Sequence, residues 1–215
     1  MRMSGRILSL LLLALVASGC ISMVEMSHET VITPDYLSWS KSLDAERGNV
    51  RLYGMLDYAS AQDLAQKILI LDEAETPRRI SIYVNSNGGE ASGYRAILNA
   101  IQESHKPVDV IIIGNCYSAA CAVLQSATGQ RIAYANAHFM VHAPDVSSGN
   151  RRDLEPVLAF ERQLYGDVLR ERSNLPAEWF PLGRKMRFFT SDEALTYHFV
   201  DEVVEPANGS HKEEN

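Results

Sequence analysis

The sequence predicts an α/β fold with a parallel sheet, and three observations carry that expectation. Strand-like and helix-like segments alternate from Val50 onward, which is the pattern of βαβ units with right-handed crossovers. The run "VDVIIIG", Val108 to Gly114, is apolar on both faces, the mark of a strand buried in a parallel sheet. The chain has 215 residues, 46% of them hydrophobic, with charge interspersed along it. That is enough to bury one sizeable core and is unlike a disordered or repetitive chain.

Each element follows from its own pattern. Residues 21–48 carry Ser, Thr, Pro34 and Gly48 with little periodicity, which suits a tether. "VRLYGML" from Val50 is a first strand, after which Leu64, Ala65, Ile68 and Leu69 recur at helical spacing. "RISIYVNS" is a second strand; Gly88 and Gly89 mark a turn, and Tyr94, Ile97, Leu98 and Ile101 give the apolar face of another helix. "VDVIIIG" comes next, followed beyond Ser118 by a short helix of small residues and by strands in "RIAYA" and "FMVHA". A long helix is expected from about Arg152 to Arg172, with Leu154, Val157, Leu158, Leu164, Tyr165, Val168 and Leu169 on one face and Pro156 in its first turn. "TSDEAL" has the capping-box form, Thr190 as N-cap and Glu193 reaching back, so a last short helix begins there before "FVDEVVE". The tail after Pro206 is polar.

Charge narrows the partners. The formal net charge is -7, and beyond the pair Arg78-Arg79 basic residues cluster only at Arg151-Arg152 and Arg184-Lys185-Met186-Arg187. A phosphate backbone would find no electrostatic footprint, so no nucleic-acid partner is expected. No metal-ligand spacing, P-loop or dinucleotide fingerprint occurs, and no cofactor is expected.

The first residues have their own logic. Arg2 and Arg6 precede an apolar run from Ile7 to Val16, then Ala17-Ser18-Gly19 and Cys20. A membrane span needs about 20 residues, so this shorter run reads as a secretory signal over residues 1–19. The small residues ahead of Cys20 resemble the bacterial lipobox, in which the cysteine is acylated and begins the mature chain. By the same resemblance Ile21, where an inner-membrane lipoprotein would carry aspartate, points to the outer membrane facing the periplasm. The expected organisation is therefore leader 1–19, lipidated terminus and tether 20–48, folded domain 49–205 and polar tail 206–215. Loss of the leader removes Arg2 and Arg6 and no acid, so the net charge falls from -7 to -9. Cys116 and Cys121 remain; on one helix their spacing would put them about 140° apart, poor geometry for a bridge, so buried free thiols are expected.

Ser118 is the first candidate for chemistry. A serine where a buried parallel strand turns into a helix exposes its hydroxyl at the strand's carboxyl end, with backbone N–H groups aimed at a developing anion. Ala119 and Ala120 let a substrate approach. A helix N-cap is the plainer account of the same serine. His142, in "FMVHAP", ends the second strand after the Ser118 helix and so reaches the same sheet edge as a base; a purely structural histidine fits that position too. The glycines of "NSNGG" allow a backbone N–H to face a substrate, or simply make a tight turn.

Together the stretches "YVNSNGG", "GNCYSAACAVLQSATGQRIAYANAHFMVHAP" and "RFFTSDEALTYHFVDEVV" occur in an order and spacing that resembles the proteolytic subunit family of the Clp protease, within the crotonase-like superfamily. The resemblance spans roughly Val50 to Val204. It implies a Clp-protease-like fold of stacked ββα units on a parallel sheet with a protruding handle helix, from Arg152, through which rings pair. It implies Ser118 as nucleophile, His142 as general base, and Gly89 and Ala119 as oxyanion-hole donors. In the family an aspartate directly precedes the Arg-Phe pair; here Arg187-Phe188 follows Met186. Asp145, Asp167, Glu178, Asp192 and Glu193 are the acids to consider in its place, with Lys185 as a Ser-Lys alternative.

The implied function is an ATP-independent serine endopeptidase of the cell envelope that acts on peptides or unfolded segments. It would be a homo-oligomeric ring, attached to the membrane through lipid on Cys20, with no cytosolic Clp ATPase as partner. The competing reading is a weakly active or inactive scaffold that binds peptides or envelope partners. Acyl-CoA chemistry, a third possibility in the superfamily, is set aside because coenzyme A is not expected outside the cytoplasm.

Overall fold

The computed structural model describes residues 46–145 and 151–205, all within one compact unit that begins at Ala45. The expected leader, Cys20 and most of the tether, like the tail from Pro206, lie outside the described residues. Strands β1 (Asn49–Leu56), β2 (Ile80–Gly89), β3 (Val108–Tyr117), β4 (Arg131–Tyr134) and β7 (Glu202–Val204) run in that order, each parallel to the next. Helices α1 (Tyr58–Glu73) and α2 (Ala91–Glu103) form the crossovers and pack on one another. α3 (Ala119–Gln125) leaves the end of β3, and every one of its residues is buried.

The sheet forks at β3. Its first half pairs with β4, Val110 to Ile112 opposite Arg131 to Ala133, and its last three residues pair with β5 (His138–Val141). β5 then pairs antiparallel with β6 (Arg187–Thr190). The β2–β3 ladder is interrupted at the same level, between Val84 and Ser86. There the Asn85 side chain accepts from the Asn115 N–H (3.0 Å), and the Asn115 side chain donates to Asn87 (3.0 Å). The asparagines of "NSNGG" thus replace backbone bonds that the fork removes.

Some expectations are corrected. Gly88 and Gly89 are not a turn but the last residues of β2, with Gly89 opposite Leu56 of β1. Leu69 faces solvent, and Leu71 takes the buried place on α1. The long helix α4 (Arg151–Glu171) has Pro156 in its second turn, where it removes one helical hydrogen bond. Leu158, Tyr165 and Leu169 face the core, while Val157 and Phe160 are exposed. The capping box is present as expected: the Thr190 N–H donates to Glu193 (2.8 Å) and the Glu193 N–H to the Thr190 hydroxyl (3.3 Å), at the start of α5 (Ser191–Thr196). Arg131, buried, ties the far end together. Its guanidinium donates to Gln125 of α3 (2.8 Å), to the Arg172 carbonyl (2.7 Å) and to Asp201 before β7 (3.2 Å).

Candidate active site

Ser118 stands between β3 and α3 with φ 53° and ψ -123°, a region that residues with a Cβ rarely occupy. Neighbouring groups hold it there. Its N–H donates to the Met140 carbonyl of β5 (2.7 Å), and its own carbonyl accepts from the Cys121 N–H (2.9 Å) and the Tyr165 hydroxyl of α4 (2.8 Å). Gly88 approaches from β2 so closely that a Cβ there would strike the Tyr117 carbonyl and the Ala119 nitrogen. A Cβ on Gly89 would strike the Leu56 carbonyl. These two contacts, more than turn geometry, explain the glycine pair.

The Ser118 hydroxyl caps nothing, although the residue sits at the N-cap position of α3. The plainer account of this serine therefore loses its physical basis. Ser118, Ala119, Gly89 and His142 all line one cavity of about 750 Å³. β5 delivers the histidine: Tyr117 is paired with Met140, and His142 lies two residues further on, one past the end of the strand.

The other side of His142 is set by β6. Val141 pairs with Arg187, so continuing the antiparallel register places Met186 opposite His142. His142 is thereby the middle of three adjacent chains, with the serine strand on one side and an exposed thioether on the other.

A family model for the Clp protease matches residues 36–207. The chain belongs to the Clp protease family. ATP-dependent Clp protease proteolytic subunit 2 of Streptomyces coelicolor is 31% identical over 157 residues, covering 69% of this chain and 72% of its own. ATP-dependent Clp protease proteolytic subunit 1 of Tropheryma whipplei is 29% identical over 158 residues, covering 69% and 76%. A ClpP1 point mutant from Listeria monocytogenes superposes with a TM-score of 0.67 at 22% identity, over 79% of this chain and 97% of that one. The last likeness is one of fold, and it is the Clp-protease-like fold that the sequence predicts.

Within this Clp-family chain the substitute acids sort themselves by position. Asp145 lines the cavity, and it accepts from Arg184 Nε (2.8 Å). Asp167 pairs with Arg170 (2.7 Å), Glu193 closes its capping box, and Glu178 lies in a 3-10 turn at Ala177–Trp179. Those three, with Asp192 and Lys185, are not among the residues lining the cavity. Cys116 and Cys121 are free and buried, with sulfurs 3.6 Å apart. One lies in β3, next to its last residue, and the other in α3, so the helical wheel that separated them does not apply. Burial, with Cys121 alongside, pushes the Cys116 thiol well above the ordinary range.

Among the cavity residues that the sequence does not mark as site residues are Tyr94, Arg95, Glu161 and Tyr165. Tyr94 and Tyr165 meet edge to face at 6.2 Å. Burial first, then the Glu161 charge, pushes the Tyr94 phenol up to about 12, so its hydroxyl keeps its proton at neutral pH. Glu161 is buried and ion-paired to Arg95. Among the described residues no cluster of three His, Cys, Asp or Glu is placed to hold a metal ion, and no helix is long and apolar enough to cross a membrane.

Proposed function

We propose that the chain is a serine endopeptidase in which Ser118 attacks a peptide carbonyl and His142 takes its proton, then returns it to the leaving amine. The Gly89 and Ala119 N–H groups stabilise the oxyanion. The observation that carries the reading is the strained Ser118, uncapped, in one cavity with His142. The pair works without a strand-borne acid, since Met186 occupies the register position that would orient the imidazole. Loss of that acid lowers turnover on the order of 10⁴-fold in a well-studied serine protease, yet leaves catalysis well above water.

The leader pattern up to Cys20 supports an envelope lipoprotein of the outer membrane, acting without ATP on peptides or unfolded segments that diffuse in. The exposed Val157 and Phe160 on α4 support a homo-oligomeric ring. The competing reading, a peptide-binding scaffold, is favoured by Met186.

Residues 21–215 treated with a fluorophosphonate probe are expected to carry the adduct on Ser118, located by mass spectrometry. Ser118→Ala and His142→Ala each abolish it. Absence of labelling in the unsubstituted protein at every pH from 5 to 10 establishes the scaffold instead.

A further inference from the structure

Two buried side-chain atoms lack a hydrogen-bond partner among the described residues, the Tyr94 hydroxyl and Glu161 Oε2. Both residues line the cavity that holds Ser118. Tyr94, on α2, is 1% exposed and Glu161, on α4, 8%. Buried polar atoms are nearly always paired, and an unpaired one forfeits the hydrogen bond it had in water. Two such atoms in one cavity, on residues close enough for the Glu161 charge to raise the Tyr94 phenol, ask for a partner from outside the chain.

Their chemistry describes that partner. Glu161 Oε1 already accepts from Arg95, so Oε2 is a spare acceptor whose charge is neutralised. The Tyr94 hydroxyl is a spare donor. The Arg95–Glu161 pair is neutral as a unit and so offers neither an ammonium nor a carboxylate a net opposite charge, and an aliphatic side chain would leave both atoms unpaired. A primary carboxamide satisfies both, its N–H donating to Oε2 and its oxygen accepting from Tyr94. The methylenes behind it find Met55, Leu56, Val157 and Leu158 in the cavity wall. Tyr165 packs on Tyr94 and donates to the Ser118 carbonyl, so the recess adjoins the nucleophile.

We propose that Tyr94, Arg95 and Glu161 form a specificity subsite for a glutamine or asparagine side chain of a bound peptide. This rests on the cavity being the peptide site, as proposed above, but not on turnover. The test uses Ser118→Ala protein and fluorescein-labelled octapeptides identical except for one central residue, Gln, Leu, Lys or Glu, with binding read by polarisation.

The Gln peptide is expected to bind about tenfold more tightly than the other three, a difference worth one to two hydrogen bonds. In the Glu161→Gln background, where a donor replaces Oε2, preference is expected to move to the Glu peptide. Tyr94→Phe is expected to narrow the Gln advantage while holding or raising Tm, because it removes an unpaired hydroxyl. Equal binding of all four peptides, no binding of any, a Lys or Leu preference, or a Tm drop in Tyr94→Phe overturns the subsite. Fluorophosphonate labelling of Ser118 in unsubstituted protein reports on the peptidase reading separately.

Discussion

At the scale of single residues, Ser118 sets stability against chemistry. A non-glycine residue at φ 53° costs about 1–3 kcal/mol, and glycine removes that strain but adds roughly 0.5–1 kcal/mol of chain entropy. Strain is the larger quantity, so Ser118→Gly is expected to stabilise the fold by about 1 kcal/mol in denaturant titration while losing all probe labelling. Equal or lower stability would mean that the backbone there is not strained. Met186 is the second decisive residue. Aspartate at 186 would face His142 across the register, and Met186→Asp is expected to speed labelling by about tenfold or more, with a ceiling on the order of 10⁴. Unchanged labelling kinetics in that variant would show that another group already orients the imidazole.

At the scale of elements, the end of α1 shows how a loop is held by charge. Asp72 accepts from the Ser104 hydroxyl (2.8 Å), the Lys106 N–H (3.0 Å) and the His105 ring (2.9 Å). Lys106 Nζ in turn donates to the Leu71 and Ala74 carbonyls, closing the helix C-terminus. Burial raises the Asp72 carboxyl, but these hydrogen bonds outweigh it and hold it at about 2. A depressed carboxylate contributes stability above its ordinary value of 3.8, and the contribution disappears as the pH falls through about 2. The His105 shift is upward, caused by Asp72, so its contribution runs the other way: complete below 6.5 and lost as pH rises through the folded value. Comparison of Asp72→Asn with the unsubstituted protein in urea is expected to show a stability gap that is full at pH 5 and shrinks between pH 4 and 2. A constant gap would assign the loss to packing.

The same scale explains what the sequence could and could not reveal. Periodicity exposed nearly every element because it reports which face is buried, and the strand ends carrying Ser118 and His142 were visible for that reason. Glu161 was not, because a helical stripe treats a charge between Leu158 and Tyr165 as an interruption. Its partner Arg95 is 66 residues away and on another helix. The fork at β3 was hidden as well: "VDVIIIG" reads as one strand, and nothing in it announces that its continuation to Tyr117 changes neighbour from β4 to β5. The cysteines are the buried free thiols that were expected, but not through the geometry of one helix, because the chain changes from strand to helix at Ser118, between them.

For the whole molecule, Arg131 is where distant parts meet. It joins α3, the segment after α4 and the turn into β7. Removing one partner of such a buried polar cluster leaves the others unsatisfied, so Arg131→Ala is expected to destabilise by about 3 kcal/mol, read as a shift of the urea midpoint without a change of slope. A shift under about 1 kcal/mol would mean that water replaces the guanidinium at little cost. The forked sheet has a different kind of consequence. Serine and histidine are carried by hydrogen-bonded neighbours, joined directly by the Ser118 N–H and the Met140 carbonyl. No hinge lies between them. Warming therefore cannot pull the pair apart without melting the ladder itself, so reactivity and the sheet have one common temperature of failure.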